Sequence, residues 1–240
     1  MSYGRGKNLL LHEYRAGVVP LARVSAVRDL GVQFRSDLNF REHITSICKQ
    51  AFQRLGFILR RCQSFSNTVA VRTLYNALVR SKLECNAIVW SPHQDKYITM
   101  LERMQNKFTR FLYLKMYGVY PFYPLMYPTL FVLGMVGYNK LEVRRNLALV
   151  MFLTKVVRGL ECNPNVLKLL KFVVPSSSLR RRKNRMFEVP LGKTALVNEA
   201  PLTRGIRLLN ILADEIDILV CKMSELEKAV IYLMCYGNTK

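Results

Sequence analysis

The stretch RDLGVQFRSDLNFREHI, residues 28–44, changes its hydrophobic period part-way, and no single kind of element satisfies both halves. Leu30, Val32 and Phe34 alternate with Gly31, Gln33 and Arg35, the two-residue period of a strand with one buried face. Ile44, Ile47, Ala51, Leu55, Ile58 and Leu59 then recur at spacings of three and four, which demands a helix with one apolar stripe. Asn39, which can accept from a free helix N–H, and Glu42 three residues on read as its start. A strand hands over to a long basic helix.

Upstream, residues 8–35 read as a small antiparallel piece: NLLLHEY, a turn near Arg15 to Gly17, a run from Val19 to Val27, and the LGVQF strand. Everything after Asn39 reads as helix. A second helix follows the capping residues Ser66, Asn67 and Thr68, keeps Val71, Leu74, Tyr75, Leu78 and Val79 on one side, and runs to about Trp90. A third starts with Ser91 as cap, Pro92 in the first helical position and Gln94 three after the cap, and ends at Gly118 and Pro121. A fourth runs from Asn139, with Glu142 in its first turn, to Gly159, and a short one follows Pro164. Ile206, Leu209, Leu212, Ile216 and Leu219 mark another, and Ser224 with Glu227 starts a last.

Between the third and fourth helices, residues 116–138 carry no charge over a length that would span a bilayer. Pro121, Pro124 and Pro128, with Gly134 and Gly137, interrupt it, and a lone span broken so often would leave backbone groups unsatisfied in lipid. The reading is a buried aromatic loop, with a membrane span as the lesser alternative. The fold expected is mainly α, a helical bundle with a small antiparallel β piece at the N-terminus. Its segments are 1–38 (β), 39–118 (helical domain), 119–138 (aromatic, Pro-rich loop), 139–175 (helical), 176–191 (basic linker) and 192–240 (C-terminal helices).

Charge narrows the partners. With 37 Lys and Arg against 16 Asp and Glu, the formal net charge of +21 exceeds what solubility asks of a domain this size, and implies an anionic partner, nucleic acid or an acidic membrane surface. On the third helix Ile98, Leu101, Gln105, Phe108 and Leu112 fall on one side, and Lys96, Arg103, Lys107 and Arg110 on the other. Such a row can meet successive phosphates of RNA, DNA or an RNA/DNA hybrid, or can simply be solvated. The run Arg180, Arg181, Arg182, Lys183 and Arg185 is denser and less specific, suiting phosphate contact or nuclear import. Arg144 and Arg145 lie beside an apolar face, where one can pair with Glu142.

Nothing comparable points to catalysis. Metal-dependent phosphoryl transfer needs carboxylates close enough to share ions, and the one close acidic group, Asp214, Glu215 and Asp217, sits on the polar side of a helix. No GxxxxGK loop, GxSxG elbow or Cys/His pair occurs. Six cysteines without a CxxC and three histidines without zinc-ligand spacing suggest reduced thiols, an intracellular chain, and no metal or cofactor.

Read together, VRDLGVQFRSDLNFREHI, ALVRSKLECNAIVWSPHQDKYITMLERMQNKFTRFL and KLEVRRNLALVMFLTKVVRGL resemble the C-terminal third of the reverse transcriptase of jockey-type non-LTR retrotransposons. The likeness extends from about Tyr3, through KFVVPSS at residues 171–177, to ILADEIDIL. It implies that the DLGV strand closes a palm subdomain and that the next helix opens a thumb, which grips primer and template through basic helices. The palm carboxylates would precede Met1, so the resemblance supplies no catalytic residue, and the expectation is nucleic-acid binding without polymerase activity, in the nucleus or elsewhere in the cell. Self-association through the palm end's bare strand edges is a further expectation. A co-opted host nucleic-acid-binding protein is the alternative that uses the same surface.

Overall fold

The computed structural model describes residues 1, 3, 12–122, 128–174 and 185–237. Strands β1 (Arg15–Ala16) and β2 (Val19–Pro20) form one antiparallel pair, β3 (Ala26–Asp29) and β4 (Val32–Arg35) another. The helices are α1 (Arg41–Arg61), α2 (Thr68–Tyr75), α3 (Ser81–Glu84), α4 (Ala87–Trp90), α5 (Asp95–Tyr117), α6 (Thr129–Met135), α7 (Leu141–Val157), α8 (Pro164–Leu167), α9 (Ala195–Asn198), α10 (Pro201–Leu212) and α11 (Met223–Tyr236). A π-helical segment, Asn76–Arg80, joins α2 to α3. The chain is thus mainly α with a small antiparallel β piece near the N-terminus. It forms two compact units, residues 1–86 with 94–136 and residues 87–93 with 137–240.

In unit 1, β3 and β4 are joined by Leu30 and Gly31, both left-handed at φ 44° and 84°. A two-residue turn of that hand matches strand twist. Leu30 is therefore not the first buried residue of a strand, as its alternation suggested, but an 85% exposed turn residue whose carbonyl accepts from Asn86 Nδ2 at 2.8 Å. Burial begins with Val32. The run from Val19 to Val27 is likewise two strands, and β3 is exposed along its whole length. At the start of α1, Asn39 Oδ1 accepts from the Arg41 N–H at 3.0 Å. Glu42 turns instead to β4, where it takes Arg35 Nη1 and Gln33 Nε2.

Ile44, Ile47, Ala51, Leu55 and Ile58 of α1 are buried, as their spacing requires. They share unit 1's core with Val71 and Tyr75 of α2, Val79 of the π segment, Leu83 of α3, and Leu101, Phe108 and Leu112 of α5. Tyr75 and Phe108 stack in parallel, with centroids 3.8 Å apart. Asn67 caps α2 by accepting from the N–H groups of Val69 and Ala70. The second helix does not run unbroken to Trp90: after the π segment and α3 the chain turns at Asn86, whose φ is 52°. Nor does α5 start at Ser91. Its N-cap is Gln94, without a side-chain bond, and residues 91–93 belong to unit 2.

His43, buried in the first turn of α1, accepts the Gln33 N–H on Nδ1 at 3.3 Å. Burial first, and the charge of Arg28 second, hold its pKa below the ordinary histidine value. On acidification the unfolded chain therefore takes up this proton before the folded one does. The stability due to neutral His43 is complete above about pH 6.5 and is lost as pH falls through the lower folded pKa. Unit 1 should melt lower at about pH 5 than at about pH 7, and the gap should narrow in His43→Gln. An undiminished gap in the variant would assign the acid loss to other groups.

Unit 2 is built on α7, whose Leu149, Val150 and Leu153 meet Ile206, Leu209 and Leu212 of α10 and Leu226, Val230 and Leu233 of α11. Gly159, left-handed at φ 70°, closes α7. Arg204 donates to the carbonyls of Ser91 (2.9 Å) and Pro92 (3.4 Å), anchoring the segment after α4. Phe172 and Phe187 form an isolated β-bridge, and Asn210 both donates to and accepts from the Phe187 backbone at 2.8 Å. The α10 helix stops at Leu212, so Ile216 and Leu219 lie beyond it, and Ile218 takes the buried place instead. At α11, Glu225 accepts from the Lys222 N–H, setting the start one residue before Ser224.

Candidate nucleic-acid interface

Helices α1 and α5 pack together in unit 1 and run in the same direction: Lys107 of α5 meets Phe52 of α1, and Lys115 further along α5 reaches the carbonyls of Gln63 and Phe65 just past α1's end. Each is apolar toward the core and basic elsewhere. Along α1 there are five Lys and Arg for one acid, and along α5 five for two, so neither helix can neutralise its own surface. The cations are spread over about 30 Å of helix, at 1.5 Å per residue.

On α5, Lys96, Arg103 and Lys107 are exposed. Among the described residues none of the ion pairs takes them up. Lys107 Nζ lies 4.9 Å from the Phe52 ring centroid and Lys96 Nζ 5.9 Å from that of Tyr97. Arg110, the fourth member of the row read from the sequence, is half-buried and donates to the Pro121 carbonyl, with Thr129 Oγ1 at 3.5 Å. It fastens the chain after α5 to the helix. A helical wheel could not show this, because the acceptor comes from the loop beyond the helix.

Sequence reasoning missed the contribution of α1. Lys49, Arg60 and Arg61 are exposed there, together with Phe52 and Phe57. The same wheel that located the α5 row would have placed Lys49, Phe52, Gly56 and Arg60 on one outward side, at spacings of three and four. Arg54, by contrast, points inward and donates to the Leu78 carbonyl of the π segment at 3.0 Å.

The other proposed phosphate-binding residues lie elsewhere. Arg144 is half-buried on α7 of unit 2. Arg145 is only 2% exposed, so it is an interior residue and not a phosphate contact at the surface; on α7 its position falls on the core side. Arg185 is exposed in unit 2, while Arg180, Arg181, Arg182 and Lys183 lie outside the described residues. The acidic trio Asp214, Glu215 and Asp217 follows α10 in a turn and is not on a helix face. Among the described residues no group of three His, Cys, Asp or Glu side chains is placed to hold a metal ion. No helix among them is long and apolar enough to cross a membrane.

Comparison with known proteins finds a relative of part of the chain. Over 87 residues the chain is 31% identical to an uncharacterized protein of Caenorhabditis elegans. The shared stretch is 36% of this chain and 43% of that protein, so the chain spans less than half the relative's length. No family model matches the chain. No solved structure matches it either.

Proposed function

We propose that unit 1 binds nucleic acid along the α1–α5 face, as a thumb-like C-terminal segment of a jockey-type non-LTR reverse transcriptase, and does not polymerise by itself. The observation that carries this reading is the unbalanced row of exposed cations on two packed helices: Lys49, Arg60 and Arg61 beside Lys96, Arg103 and Lys107. Rigid helices hold these charges at fixed spacing, which suits a ligand whose own charges repeat. Phosphate contacts of this kind give affinity with little choice of sequence, and the affinity falls steeply with salt.

The test is a salt titration with RNA, duplex DNA and an RNA/DNA hybrid. Replacing Lys96, Arg103 and Lys107 together by Gln should weaken binding to all three and flatten the salt slope by about 2 to 3, since each phosphate no longer neutralised keeps its counterion. Arg110 is left in place because its bond to Pro121 is structural. An unchanged slope in a variant with unchanged circular dichroism would reduce the row to a solvated face.

A further inference from the structure

We infer that Phe52 is a stacking position for an unpaired base, which makes the α1–α5 face selective for single-stranded over duplex nucleic acid. The inference rests on the nucleic-acid reading above and adds the form of the ligand. An amphipathic helix ordinarily turns its large apolar residues inward, as α1 does with Leu55 and Ile58. Phe52 departs from this and is 50% exposed. Phe57, 52% exposed, does the same further along the helix, with the Arg61 guanidinium 6.0 Å from its ring centroid.

The surroundings of Phe52 suit a nucleotide. Lys49 lies one turn before it, and Lys107 Nζ from the neighbouring helix lies over the ring, 4.9 Å from its centroid, so a cation covers one side of the half-exposed ring. One turn on is Gly56, a poor helix residue; a Cβ there would lie 3.3 Å from Arg60 Nη1, so the glycine lets that guanidinium lie close along the helix. A planar base could rest on the side of the phenyl ring away from Lys107 while the strand's phosphates meet Lys49, Lys107 and Arg60. Aromatic rings interleaved with cations bind single strands in this way, without hydrogen-bond readout of sequence. In a duplex both faces of each interior base are occupied by its neighbours, leaving only the phosphates open to this surface.

The experiment compares labelled oligothymidylate with a DNA hairpin duplex on the full chain, using Phe52→Leu, which keeps the apolar bulk, and Phe52→Tyr, which keeps the ring. Phe52→Leu should weaken single-strand binding roughly five-fold or more, the scale of one base stacked on an aromatic ring. Duplex affinity and both salt slopes should stay as in the wild type, and Phe52→Tyr should retain single-strand affinity. Single-strand binding unaffected by Phe52→Leu, or strand and duplex weakened equally, would overturn the stacking role while leaving the cationic face intact. A wild-type chain that binds neither probe would remove both readings together.

Discussion

Truncating Phe108 to alanine should destabilise unit 1 by about 3–5 kcal/mol, the range for a phenylalanine removed from a closed core. Phe108 is fully buried between the elements that define the unit, and its ring lies 3.8 Å from that of Tyr75 at an interplanar angle of 4°. The variant loses that stack as well as buried area, and leaves a cavity among the buried residues of unit 1. Hydrogen exchange resolved by peptide is the appropriate measurement, with protection falling in α1, α2 and α5. The matched control is Arg103→Ala on the exposed side of α5, not Arg110→Ala, because Arg110 has a bond to lose. Equal losses of protection in Phe108→Ala and Arg103→Ala would contradict the burial on which the description of unit 1 depends.

In unit 2 the corresponding weak point is Gly205. A Cβ at this position would stand 2.3 Å from Leu153 Cδ1 and 3.2 Å from Leu149 Cγ, so the backbone of α10 runs against side chains of α7. Gly205→Val should therefore cost about 1–3 kcal/mol through overpacking, and more if α10 cannot shift. Trp90, the chain's one tryptophan, is buried in the same unit, and its emission reports the transition under urea. Leu153→Ala alone opens a cavity and should also destabilise, by about 2–5 kcal/mol. Combined, the two changes should cost less than their sum, because each relieves the other. Strict additivity would mean that Gly205 and Leu153 do not meet.

The elements differ in how plainly the sequence announces them. The buried faces of α1, α5 and α10 follow from local period alone, since Leu55, Phe108 and Leu209 recur at the spacing that a helix buried on one side imposes. Helix ends are harder to read. The Ser91–Pro92 signal is a sound helix start in isolation, but Arg204, more than a hundred residues away, takes those carbonyls, and α5 begins later. Leu30 alternates like a strand residue because alternation carries no information about φ, and a leucine in the left-handed region is uncommon. At the candidate interface the α5 cations were legible as residues on one wheel. The pairing of α1 with α5, the approach of Lys107 to Phe52, and the withdrawal of Arg110 and Arg145 from the surface all depend on tertiary packing that no single helix encodes.

The π segment between α2 and α3 sets the rotational phase of everything after it in that rod. Val71, Tyr75, Val79 and Leu83 are all fully buried at steps of four residues. In a regular α-helix each such step drifts by about 40°, so three would carry Leu83 roughly 120° away from Val71 and out of the core. The wider turn at Asn76–Arg80 absorbs that drift, and the Leu78 carbonyl there is held by Arg54 of α1. Chain length across the segment is consequently coupled to the type of helix it forms. Removing the exposed Ala77 would leave the same side chains at spacings of four, three and four, which a regular α-helix carries on one face. The wide turn should then give way to unbroken α-helix with Leu83 still toward the core; one further residue inserted there would instead turn Leu83 toward solvent. A conventional substitution scan, which changes side chains and never the count, would not reach this coupling between residue number and helix type.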